Sequence, residues 1–244
     1  MTPYYEDDAC TIYHGDCLDV LADLEISVDS VVTDPPYASG TRHEANKSAS
    51  GAMLRAGRFS DRPIDLDQMT TTGFVWLMRA VSYRCYNMLP EGGSLLSFID
   101  WRQWPNLVGA LETCNLRVQG MLVWDKQSIG MGNGFRGQHE LICHASKGVP
   151  TVYDRSCGNV LQSPRQRPVD HPSPKPVGLV ARLIEVVTPP GGLVLDPFMG
   201  GGTTLRAASD VGRRSIGIES NEAYCEVAAK RLAQGSLFDS NGAA

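Results

Sequence analysis

Long apolar runs are missing from this sequence. No stretch approaches the roughly 18 consecutive apolar residues of a membrane-spanning helix, which excludes a helical integral membrane protein. An excess of positive charge is missing as well: 22 Lys+Arg stand against 27 Asp+Glu, a formal net charge of -5, so the chain is no bulk polycation. Met1 to Asp8 carry three acids and neither the basic nor the apolar region of a secretory signal, and a cytoplasmic address in a bacterial or phage-infected cell is expected. Paired cysteines are absent too. The seven cysteines are odd in number, irregularly spaced and contain no C-x-x-C, which fits reduced thiols and excludes a disulfide framework. The five histidines form neither H-x3-H nor H-E-x-x-H, so no metal is expected.

What remains is an ordinary globular composition, 42% hydrophobic and 20% charged over 244 residues. Length alone allows one α/β domain with insertions or two small domains. Short buried-strand patterns fall at 10–14, 30–34, 94–99, 119–124, 141–145, 193–196 and 215–219. Helical patterns fall at 19–24, 73–88, 101–114, 176–187, 203–211 and 221–233. Strands alternating with helices predict an α/β fold, a twisted and mainly parallel seven-stranded sheet with helices on both faces. The expectation is one domain over 1–244, without internal repeats.

Two stretches interrupt the pattern, and both are locally basic. Residues 38–62 hold Arg42, Lys47, Arg55, Arg58 and Arg62 against Glu44 and Asp61, and residues 149–175 hold Arg155, Arg165, Arg167 and Lys175 against Asp154 and Asp170. Basic loops inserted in an acidic α/β domain suit phosphate-bearing partners, although solvated loops can share that composition.

Two constellations carry chemistry. Asp34-Pro35-Pro36-Tyr37 follows the apolar run Ser30 to Thr33, at the carboxyl end of a strand, where open α/β sheets bind ligands. The prolines stiffen the backbone and donate no N–H, leaving carbonyls free to accept; Asp34 adds a carboxylate, and Tyr37 a ring face for stacking. The segment reads as a receptor for an amino group on a planar base. The second constellation, Gly191 to Thr204, is a strand, the loop Asp196-Pro197-Phe198-Met199-Gly200-Gly201-Gly202 and a helix start, followed by a strand ending in Glu219. Such a loop admits a nucleoside cofactor close to the backbone, with the acid placed for ribose hydroxyls. A nicotinamide dinucleotide is a competing occupant, disfavoured because G-G-G-T-T does not match G-x-G-x-x-G.

Taken together, G-D-C at 15–17, D-P-P-Y at 34–37, H-E-L-I at 139–142, H-P-S-P-K-P at 171–176, D-P-F-M-G-G-G-T-T at 196–204 and G-I-E at 217–219 resemble the circularly permuted beta class of S-adenosylmethionine-dependent DNA amino-methyltransferases. The resemblance spans nearly the whole chain, and the order of the segments, D-P-P-Y before the glycine loop, is its specific part. It implies a Rossmann-like methyltransferase fold in which Asp34 and the Pro35 carbonyl accept the N–H bonds of the target amine, Pro36 stiffens the turn and Tyr37 stacks on a flipped base. It implies cofactor contacts from Asp196, Phe198, Gly200, Gly202 and Thr203, with Glu219 on the ribose, Asp16 near the adenine, and Ser173 with Lys175 near the methionine carboxylate. Double-stranded DNA is the implied partner and a homodimer the implied assembly.

The chemistry agrees with those residue types. The lone pair of an exocyclic amine is delocalised into its ring, and acceptors drawing on both N–H bonds favour the reactive pyramidal form. In-line positioning then supplies much of the rate, and a base stacked in a duplex must be flipped out to reach it. No Pro-Cys pair is present for a C5-cytosine nucleophile. D-P-P-Y resembles the adenine-N6 enzymes, whereas S-P-P-Y or S-P-P-F resembles the cytosine-N4 enzymes, which stand as the alternative. A binding protein without turnover is a further alternative, disfavoured by the intact D-P-P-Y. Candidate DNA contacts are Arg42, Lys47, Arg55, Arg58, Arg165 and Arg167 in the basic stretches, and Arg136 in the glycine-rich loop 127–138; His139 and Glu140 are candidates for orienting that loop. Gln234 to Phe238 resembles the Q-x-x-L-F peptide that docks on bacterial sliding clamps, against the simpler expectation that Leu237 and Phe238 pack on their own domain.

Overall fold

The central strands of this molecule are buried on both faces, and that property dictates the layering. The computed structural model describes residues 1–38, 69–131, 133–165 and 175–233. Its strands are β1 (Tyr5–Glu6), β2 (Cys10–His14), β3 (Ser30–Thr33), β4 (Ser94–Ile99), β5 (Arg117–Asp125), β6 (His139–Ser146), β7 (Val160–Gln162), β8 (Leu193–Asp196) and β9 (Arg214–Glu219). Its helices are α1 (Cys17–Asp23), α2 (Thr71–Met88), α3 (Trp104–Glu112), α4 (Val177–Val187), α5 (Thr203–Asp210) and α6 (Glu222–Ala233). All four residues of β3 and all six of β4 are buried. Because side chains alternate across a strand, Val31 and Leu95 face α1, α2 and α3, while Val32 and Leu96 face α4 and α5. A smaller cluster joins Ile12, Met199 and Leu205 to Cys225, Ala228 and Leu232 of α6.

Local chemistry sets the helix boundaries. Asp16 caps α1 by accepting from the Leu18 N–H at 2.8 Å, and the Thr70 hydroxyl caps α2 by accepting from the Gly73 N–H at 3.1 Å. Proline in the first turn of α3 lacks the N–H that would find no partner there. On α4, Leu179, Val180, Leu183, Ile184 and Val187 recur at helical spacing and form its buried stripe.

The strand order is β1-β2-β9-β8-β3-β4-β6-β5-β7. β2, β9, β8, β3 and β4 are consecutive and parallel, whereas β6 runs antiparallel to both β4 and β5. From β3 the chain crosses through α2 to β4 on one side, and from β8 through α5 to β9 on the other. The crevice at the carboxyl ends of β3 and β8 is therefore the topological switch point, where such sheets bind ligands.

Among the described residues the sheet has nine strands rather than the expected seven. β1 pairs antiparallel with β2 over two residues, and β7 pairs parallel with β5 over three, too few for a periodic signal. β7 also corrects the loop expected at 149–175: buried Leu161 pairs with Trp124, whose indole N–H donates to the Ser163 carbonyl at 2.7 Å. No described helix is long and apolar enough to cross a membrane, and no group of three or more His, Cys, Asp or Glu among the described residues could hold a metal ion.

Candidate active site

The parallel strands β3 and β8 bring the two chemistry-bearing segments to one edge of the sheet. Thr33, the last residue of β3, donates its hydroxyl to Asp196 Oδ1 at 2.6 Å, joining the turn that begins at Asp34 to the glycine-rich loop that begins after Asp196. Asp196 is 2% exposed and also accepts from the Phe198 N–H at 3.1 Å. Burial pushes its carboxyl up to about 6, against the opposing hydrogen bonds from Thr204, Thr33 and Phe198.

Asp34 lies at the mouth of this crevice. Its carboxylate accepts from the Tyr37 hydroxyl and, through Oδ2, from Lys175 Nζ at 2.5 Å. Pro35 is buried, and Pro36 and Tyr37 half-buried. Burial and then the Asp34 charge hold the Tyr37 phenol well above its ordinary value, so it remains a donor. Lys175, 6% exposed, also lies 3.5 Å from Glu140 Oε2, and its ammonium sits 5.2 Å from the Phe98 ring centre and 5.6 Å from that of Tyr37. Glu140 Oε1 accepts in turn from Lys126 Nζ. Burial opposes the ammonium of Lys175, yet Asp34 and Glu140 outweigh it and raise its pKa. Burial likewise opposes ionisation of Glu140, but Lys175 and Lys126 prevail and lower its pKa. The result is an alternating chain of charges, Lys126, Glu140, Lys175 and Asp34. Lys175, expected near the methionine carboxylate, is bonded here to Asp34, and Glu140, expected to orient the loop 127–138, pairs with Lys126 at the root of that loop and reaches Asp34 through Lys175. Opposite charges recurring without short-range spacing gave no signal for this.

On the other side of the crevice, Glu219 ends β9 next to His14, the last residue of β2. Glu219 Oε2 accepts from the Gly200 N–H at 3.1 Å and Oε1 from the Asn221 N–H at 2.8 Å; burial raises its pKa in spite of those bonds. Asp16 stands two residues beyond β2 with one oxygen on the α1 cap. Gly202 has φ +76°, and a Cβ there would come within 2.7 Å of the Ala228 Cβ, so the loop passes too close to α6 for a side chain. Phe198 is half-buried against the core, and the Thr203 hydroxyl accepts from Arg231 Nη1 at 3.2 Å.

The loop 127–138 projects beyond β5 and β6 from the same neighbourhood. Asp125 Oδ1 holds both its ends, accepting from the Gln127 N–H at 2.9 Å and Gln138 Nε2 at 2.8 Å, and Arg136 is exposed on it. Arg165 is brought beside the loop: its Nη2 lies 3.8 Å from where a Cβ of Gly130 would be. Arg42, Lys47, Arg55, Arg58, Arg167, Ser173 and the tail segment Gln234 to Phe238 lie outside the described residues.

Comparison with known proteins gives this geometry a family. A family model described as DNA methylase, of the N6/N4 methyltransferase kind, matches residues 28–230. The methylase YubD of Escherichia coli (strain K12) is 31% identical over 231 residues, covering 94% of this chain and 93% of its own. Among solved structures, M1.HpyAVI in complex with SAM aligns with a TM-score of 0.67 at 24% identity, covering 91% of this chain and 99% of that one. The PvuII DNA methyltransferase, cytosine-N4-specific, aligns with a TM-score of 0.74 at 18% identity, covering 99% and 90%. With both segments on one crevice and the family match extending through both, the chain belongs to the N6/N4 family of DNA methylases.

Proposed function

We propose that this chain, acting as one catalytic domain, transfers a methyl group from S-adenosylmethionine to the exocyclic N6 of an adenine flipped out of duplex DNA. The observation that carries the proposal is the Thr33 to Asp196 bond, because it fixes the amine-receiving turn directly against the cofactor loop. S-adenosylmethionine is the cofactor of this family, and when bound it supplies a methyl group on a positively charged sulfonium. The crevice fits such a group. Gly200 and Gly202 leave the backbone bare, Glu219 offers two carboxylate oxygens to ribose hydroxyls, and Phe198, Thr203, Asp16 and Asp196 are the further cofactor contacts of this reading.

The protein's own contribution is positioning. The Asp34 carboxylate and Pro35 carbonyl accept from the target amine, Tyr37 offers its ring to the base, and in-line placement lowers the barrier without a covalent intermediate. Arg136 and Arg165 approach DNA phosphates or base edges from the projecting loop. Removing Asp34 separates these roles: Asp34→Ala retains S-adenosylmethionine binding in calorimetry and loses methyl transfer by about 10²- to 10⁴-fold, the usual worth of a positioned proton acceptor. Parallel loss of binding would move Asp34 into the cofactor site. Cytosine N4 is the second reading, favoured by the fold shared with the PvuII enzyme; the D-P-P-Y turn favours adenine.

A further inference from the structure

Both oxygens of the Asp34 carboxylate, which is to receive the target amine together with the Pro35 carbonyl, are already engaged, one by the Tyr37 hydroxyl and the other by Lys175. A lysine ammonium is the stronger donor of the pair, and it is buried, so it cannot leave for solvent without an anion to accompany it. The structure provides that anion. Glu140 Oε2 is buried, has no hydrogen-bond partner, and lies 3.5 Å from the same Nζ, while Glu140 Oε1 is held in place by Lys126. That oxygen is ion-paired with the ammonium but lacks a close hydrogen bond, and it stands one short side-chain movement from gaining one.

We infer that Lys175 is a two-seat positioning residue: it closes Asp34 until a target base arrives, then moves onto Glu140 Oε2 and leaves the Asp34 carboxylate open to the incoming amine. The inference rests on the amine-methylation reading above. Both seats are carboxylates, so the ammonium is paired throughout, and the aromatic faces of Phe98 and Tyr37 line its path. A wrong occupant that cannot displace the lysine gains no access to Asp34, which makes the exchange a checkpoint on the flipped base. Glu140, in this account, acts on the reaction only through Lys175.

The exchange makes the effect of one substitution depend on the presence of the other residue. Full-length parent, Glu140→Gln, Lys175→Met and the double variant are compared for S-adenosylmethionine affinity by calorimetry and for kcat and KM on unmethylated plasmid DNA. Glu140→Gln removes the second seat, traps the lysine on Asp34, and raises KM for DNA by about tenfold, within the range of coupling between contacting charges. Adding Lys175→Met removes the trapped lysine and returns KM to within about threefold of the parent, and cofactor affinity stays at the parental value in all three variants. A double variant as impaired as Glu140→Gln, or impaired further, overturns the exchange and leaves a fixed scaffold. Loss of cofactor affinity in Lys175→Met overturns it in favour of a cofactor contact. A parent protein that transfers no methyl to DNA overturns the methylation reading and the exchange together, whereas an active parent with a non-recovering double variant overturns the exchange alone.

Discussion

Asp196 shows what a single residue costs when it is placed for function. It sits in the interior with three hydrogen-bond donors, and burial still raises its carboxyl from 3.8 to about 6. A folded pKa above the unfolded one means that the native state holds the proton more tightly. Its contribution to stability is fully present below about pH 4 and is lost as pH rises through 6, a cost on the order of 3 kcal/mol at neutral pH. Asp196→Asn keeps an acceptor for Thr33 and removes the titration. The expected result is that the variant's unfolding free energy, measured by denaturant titration relative to the parent, improves between about pH 4 and pH 6 and levels off above that. A difference that stays constant over that range would contradict this account of the burial. The site's other residues were unequally legible. Asp196 and Glu219 announced themselves because each closes an apolar strand, and Asp34 and Tyr37 because they lie in the proline turn that follows one. Lys175 is 141 positions from Asp34, and only the folded sheet shows that it faces a carboxylate on that side.

At the scale of elements, β4 and β8 have the same bounds in the sequence pattern and in the structure, since continuous apolar runs end at turn residues on both sides. β5 and β6 are longer than their apolar cores, because antiparallel pairing extends the ladder through Asp125 and His139. β1 and β7 escaped detection: strands of two and three residues complete no hydrophobic period, and pairing at the edges of an existing sheet creates them. The glycine loop leading into α5 is the least tolerant element. Gly202→Ala would add a left-handed backbone penalty and a Cβ 2.7 Å from that of Ala228, so it should destabilise the fold by about 1–3 kcal/mol and push α5 away from α6. Denaturant unfolding measures the first effect and cofactor affinity the second; unchanged values for both would mean that the loop does not need its close approach. On α4, Leu183→Ala leaves a cavity under the sheet and should cost about 2–5 kcal/mol without changing which base is modified.

For the molecule as a whole, a net charge of -5 and a DNA substrate are compatible only if positive charge is gathered locally. Among the described residues, Arg136 lies on the projecting loop and Arg165 beside it, on the side from which Lys126 leads through Glu140 and Lys175 to Asp34. If Arg136 pairs with a phosphate, Arg136→Ala lowers the slope of log affinity against log salt by about 1 and weakens all sequences alike; loss of affinity for one sequence alone would mark it as a base contact. The central claim is the transfer of methyl to an adenine amine. Its direct measurement is incubation of the purified protein with labelled S-adenosylmethionine and unmethylated DNA, followed by digestion to nucleosides and mass analysis. Label is expected in N6-methyladenine. Label in N4-methylcytosine would contradict the choice of base, and no label despite tight cofactor binding would contradict DNA as the acceptor.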